Sequence, residues 1–99
     1  MKVLLVCAGG LSTSLLMKKM KGYWEEQGTD LNVDACSLAE YKIRCTDFDV
    51  ILVGPQISYH LDDIRKASGL PCEAIDSTDY ALGRCSNIYS QTEKLYKKD

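Results

Sequence analysis

The chain has 99 residues, 45% of them hydrophobic and 26% charged, which fits one folded domain over 1–99 and excludes both a disordered chain and a fibrous repeat. Twelve basic residues against fourteen acidic ones leave a formal charge of −2, too weak a field to hold a polyanion such as DNA. The apolar runs are far shorter than the ~20 residues of a membrane-spanning helix, and Gly9-Gly10 so close to the start argues against a secretion signal, which points to a cytoplasmic, reducing location. Cys7, Cys36, Cys45, Cys72 and Cys85 are odd in number and lack CxxC spacing, so they suggest neither a disulfide framework nor a thiolate metal site.

Lys2 to Cys7 is a short apolar run closed by Gly9-Gly10 and reads as a strand buried on both faces. Leu15, Leu16, Met20, Tyr23 and Trp24 then recur at helical spacing, with Ser12 or Thr13 as cap and Gly28 as terminator. Leu31 to Cys36 alternates apolar and polar residues, as an edge strand does. Leu38 to Cys45 predicts a short helical connection, and Asp49 to Val53 a second fully buried strand stopped by Gly54-Pro55. Ser58 is the expected cap of a further helix carrying Asp62 and Asp63 in its first turn, ended by Gly69-Leu70-Pro71. Cys72 to Ile75 predicts the fourth strand. The apolar spacing from Ser77 onward predicts one final amphipathic helix ending in Lys97-Lys98. Four alternations of strand and helix predict an α/β fold: a four-stranded parallel sheet in flavodoxin-like order 2-1-3-4, with helices on both faces. Ligands in such sheets sit at the carboxyl ends of the strands where the order reverses, here between strands one and three.

That rule puts Cys7, Ala8, Gly9, Gly10, Leu11, Ser12, Thr13 and Ser14 beside Gly54 to His60. Glycines let successive amides turn inward, a helix start supplies unpaired N–H groups, and three hydroxyls add donors, so the segment suits a phosphate. The same donors would stabilise a Cys7 thiolate as a nucleophile toward a phosphoryl group. A bland turn with a small buried cysteine, or a dinucleotide loop, fits the same residue types, although neither GxGxxG nor a Walker pattern is present.

The run Cys7-Ala8-Gly9-Gly10-Leu11-Ser12-Thr13-Ser14-Leu15-Leu16, with Val50 to Ile57 and Ala74-Ile75-Asp76, closely resembles the enzyme IIB component of the lactose, cellobiose and chitobiose class of bacterial sugar phosphotransferase systems. The similarity spans the chain. It implies a phosphotransferase that carries phosphoryl on Cys7 with no metal or organic cofactor. The donor would be a phosphohistidine on a IIA component, and the acceptor a β-linked sugar presented by the membrane component IIC, through which the chain would associate peripherally with the membrane. Low-molecular-weight tyrosine phosphatases have a related fold and a Cys-x5-Arg loop, but here Thr13 stands where that arginine would be, which argues against a phosphatase or arsenate reductase. A regulatory module without catalysis is the remaining rival.

Gln56, Ser58 and Tyr59 should border the Cys7 loop and contact the donor or the sugar-bearing partner, although turn and helix-start duties explain them nearly as well. His60, the only histidine, is expected to be a solvated helix-start residue rather than a second carrier, and Asp76 either faces the crevice or caps the next segment. The other four cysteines are expected to be core packing residues.

Overall fold

The computed structural model describes residues 1–7 and 12–96, the side chains of Ser12 and Thr13 excepted. The strands are β1 (Lys2–Val6), β2 (Asn32–Cys36), β3 (Val50–Val53) and β4 (Cys72–Ala74), paired in parallel in the order β2-β1-β3-β4. The helices are α1 (Ser12–Glu26), α2 (Tyr41–Arg44), α3 (Leu61–Ser68), α4 (Ser77–Leu82) and α5 (Cys85–Tyr96), with 3₁₀ turns at Cys45–Asp47 and Pro55–His60. The expected architecture and strand order hold. The register sets Val6 beside Cys36 on one flank and Val53 on the other, so β1, like β3, has a paired neighbour on each edge.

Period-two alternation divides the two central strands between two cores. Val3, Leu5, Val50 and Leu52 face one side and pack with Leu16, Met20 and Trp24 of α1 and Ile88 and Leu95 of α5. Leu4, Val6, Ile51 and Val53 face the other and pack with Tyr41 of α2, Cys45, Ile57 and Ile64 of α3. Continuous apolar runs in β1 and β3 follow directly from this double burial, and the polar alternation of β2 from its place at the edge. That edge is closed by side chains. Alternation turns the N–H and C=O of Ala35 away from β1; Asp34 Oδ1 accepts the N–H at 2.8 Å, Arg44 Nη1 donates to the C=O at 3.2 Å, and Arg44 also pairs with Asp34.

Two expectations need correction. The C-terminal segment is two helices, because Gly83 adopts φ +63° and turns the chain between Leu82 and Cys85. The apolar spacing continues through the break, which is why periodicity hid it. Ser58 does not cap α3: Pro55 opens a 3₁₀ turn that kinks at Ile57, where φ is −124° and ψ 25°, and a second turn follows to His60, which occupies the cap position of α3 without a side-chain hydrogen bond. Asp62 and Asp63 do fall in the first turn of α3. Asp76 caps α4, accepting from the N–H groups of Thr78 at 2.9 Å and Asp79 at 3.2 Å.

Leu52→Ala, at a fully buried position of β3, is expected to destabilise the fold by roughly 3 kcal/mol, and Asp76→Ala by about 1 kcal/mol. Urea unfolding followed by the fluorescence of Trp24, itself fully buried, measures both.

Candidate active site

The carboxyl end of β1 is built by continuing its two hydrogen-bond ladders one step past the strand. The Cys7 N–H donates to Cys36 O at 3.1 Å, and the Gly54 N–H donates to Val6 O at 2.8 Å. Cys7 is thereby clamped between the ends of β2 and β3. Its residue exposure is 5%, and it belongs to neither core cluster, lying at the rim of the sheet instead. The ladder to Cys36 draws the residue into the sheet end, where Sγ lies 3.9 Å from Cys36 O. Ala8, Gly9, Gly10 and Leu11 lie outside the described residues, as do the side chains of Ser12 and Thr13; Ser14 is exposed on the first turn of α1.

On the β3 side, Gly54 approaches Cys7 so closely that a Cβ added to it would stand 3.3 Å from Cys7 Cβ and 3.6 Å from Cys7 Cα. The same Cβ would stand 3.1 Å from Gln56 Oε1, so the Gln56 side chain folds back over Gly54 toward Cys7. Ser58 and Tyr59 are exposed farther along the 3₁₀ turn, Tyr59 at 76%. α4 packs against this turn, and its end, with Tyr80, Ala81 and Gly83, closes on Leu15, Leu16 and Lys19 of α1. Tyr59, Leu15 and Leu82 are all more than half exposed, which gives these three elements apolar tips facing solvent. The α4 contribution was missed from sequence because the segment was read as part of one long helix. Gly83 was the signal that could have revealed it.

The other titratable groups have separate duties. His60 lines the groove between α2 and α3 with Tyr41 and Asp63; its Nδ1 is 3.8 Å from Asp63 Oδ2, and its ring meets that of Tyr59 at 4.4 Å with the planes tilted by 39°. Arg44 is held by Asp34 and Ala35. Arg65 Nε donates to Cys72 O at 3.0 Å, so neither guanidinium folds back to Cys7. Burial pushes the Cys36 thiol up to about 11, reinforced by the charges of Glu40, Cys7 and Cys45. Burial also raises Cys72, against the opposing effects of Ser68 and Arg65, and Cys85, against Lys19. These three are therefore protonated, poor nucleophiles at neutral pH. Cys45 donates to Lys42 O at 3.5 Å inside the second core. Among the described residues no group of acidic, histidine and cysteine side chains is arranged to hold a metal ion.

The model of the family described as "PTS system, Lactose/Cellobiose specific IIB subunit" matches residues 2–91. The chain belongs to that family. This IIB chain is 32% identical over 97 residues, covering 95% of it and 94% of the relative, to a protein of Bacillus subtilis (strain 168) named as the oligo-beta-mannoside-specific EIIB component. It is also 32% identical over 101 residues, covering 94% of each, to the galactose-specific EIIB component of Lactococcus lactis subsp. cremoris (strain MG1363). Among solved structures it superposes with TM-score 0.79 on the lactose-specific IIB component domain of Streptococcus pneumoniae, at 19% identity and 98% coverage of both chains. The cellobiose-specific IIB component of Borrelia burgdorferi gives TM-score 0.77 at 25% identity, covering 97% of this chain and 91% of that one. The protein is thus a phosphotransferase component of a sugar phosphotransferase system, and no helix among its described residues is long and apolar enough to cross a membrane.

Because Cys36 ionises near 11 in the fold and near 9.0 as an unperturbed thiol, the unfolded chain releases that proton first as pH rises. Stability is expected to hold below pH 9 and to fall between pH 9 and 11; Tyr41, also raised by burial, acts in the same direction. Urea midpoints across this range should show the decline, and Cys36→Ala should flatten part of it.

Proposed function

We propose that this chain is one domain over residues 1–99 that accepts a phosphoryl group on Cys7 from a phosphohistidine of a IIA component and passes it to a β-linked sugar held by the membrane component IIC. The observation that carries the reading is the position of Cys7: the end of the central strand, where β1 and β3 lie side by side while their connections diverge, in a chain of the IIB family. In the first step the Cys7 thiolate attacks phosphorus in line, the S–P bond forms, and the N–P bond breaks with its electron pair returning to the donor imidazole. In the second, a sugar hydroxyl attacks the same phosphorus, the S–P bond breaks to regenerate the thiolate, and the hydroxyl proton leaves to solvent. Both steps rest on positioning and on donors to the equatorial oxygens rather than on further covalent chemistry.

The amides of residues 8–14 are the proposed cradle for those oxygens. α1 begins at Ser12, five residues after Cys7, and its fifteen residues give the start of the helix a full positive dipole end toward the same edge of the sheet. The exposed Tyr59, Leu15 and Leu82 around this edge suit a protein partner, and Gln56 and Ser58 lie on the same turn as Tyr59. One face would then meet IIA and IIC in turn, in the cytoplasm, with the membrane reached only through IIC. The phosphatase alternative lacks the loop arginine, since Thr13 stands in its place, and it gains nothing from Arg44 and Arg65, which are engaged elsewhere.

Incubation with phosphoenolpyruvate, the general phosphotransferase proteins and a IIA component should add one phosphoryl group to Cys7, read by mass spectrometry of peptides, and none to Cys7→Ser. Label on His60, or steady hydrolysis of an aryl phosphate without any partner, contradicts the carrier reading.

A further inference from the structure

The conformation of Gly54, φ −62° and ψ 146°, is one that any residue adopts, so backbone freedom does not explain a glycine there. Space does. A single methyl at this position would meet Gln56 Oε1 at 3.1 Å and Cys7 Cβ at 3.3 Å, both tighter than ordinary van der Waals contact. Gly54 therefore allows the Gln56 side chain and the sulfur-bearing residue to occupy adjoining volumes. The arrangement is held from below. Gly54 N–H is tied to Val6 O at 2.8 Å, Ile57 N–H to Gly54 O at 3.1 Å, and Pro55 fixes the start of the intervening turn. Gln56 thus rides on a short turn anchored to the residue that precedes Cys7. Among the described residues no hydrogen bond engages its carboxamide, and the residue is exposed, so the group is available to a ligand.

On the reading that Cys7 carries phosphoryl, we propose that the Gln56 carboxamide binds the phosphoryl group on Cys7 from the β3 side, and that Gly54 is the positioning residue that lets it reach. Turning the amide about its terminal bond presents Nε2 in place of Oε1 as donor to a phosphoryl oxygen. The chemistry suits a carrier. An arginine would hold the dianion by charge as well as by hydrogen bonds, whereas a neutral amide contributes one directed donor and leaves the group transferable.

The test is the equilibrium distribution of phosphoryl between a IIA component and this chain, reached from either direction and read by mass spectrometry on Cys7. A side chain that only docks the partner changes the rate of approach and leaves the final ratio alone. A side chain that binds the phosphoryl changes the ratio. Gln56→Ala is expected to shift the distribution toward IIA by about tenfold, the size of one hydrogen bond to a charged group. Gly54→Ala should shift it in the same direction, and the double variant should shift it no further than the larger single effect, since both remove one interaction. An unchanged ratio in Gln56→Ala with wild-type Cys7 phosphorylated overturns this inference alone, as do additive losses in the double variant. No phosphoryl on wild-type Cys7 overturns the carrier reading and this inference with it.

Discussion

The hydrogen-bond ladder on both flanks of β1 is the constraint on which the molecule depends. At the end of β1 the ladders continue on both flanks, to Cys36 on one side and Gly54 on the other. These two bonds fix the backbone of Cys7 between them. Every group near the sulfur is placed relative to that clamp, and the clamp holds because β1 and β3 are sealed from water on both faces by α1 and α5 above and α2 and α3 below. Exposed amides in the same geometry would exchange their partners for water; buried ones lose more by breaking than they gain.

Burial also sorts the five cysteines. Four are drawn into or against the cores, and for Cys36, Cys72 and Cys85 the apolar surroundings favour the protonated thiol. They serve as small apolar side chains. Cys7 differs by address more than by chemistry, since it is the residue at which the strand stops and the loop begins. Its low exposure goes with its place at the end of the sheet, while α1, α4 and the Pro55–His60 turn carry the exposed apolar side chains Leu15, Leu82 and Tyr59.

Gly54 illustrates how packing can determine a residue type that conformation leaves open. Its dihedral angles would admit alanine; the neighbouring Cys7 and Gln56 would not without moving. The arrangement ties the identity of a β3 terminal residue to the end of a different strand, a coupling that operates through side-chain volume rather than through charge.

The strands and their order were legible in the amino-acid sequence because double burial leaves continuous apolar runs at Val3–Val6 and Val50–Val53, and an edge leaves the alternation of Leu31 to Cys36. The position of Cys7 at the end of a buried strand was legible because the apolar run from Val3 stops there, just before Gly9-Gly10. The break at Gly83 and the turn from Pro55 were not: apolar spacing reports which side chains are buried, and it does not reveal where one helix ends and the next begins. Nor could the sequence give the contact of Gly54 and Gln56 with Cys7, or the burial of the sulfur. Those depend on how two parallel strands, distant along the chain, end side by side, and that is set by the register of the folded sheet, which local spacing does not encode.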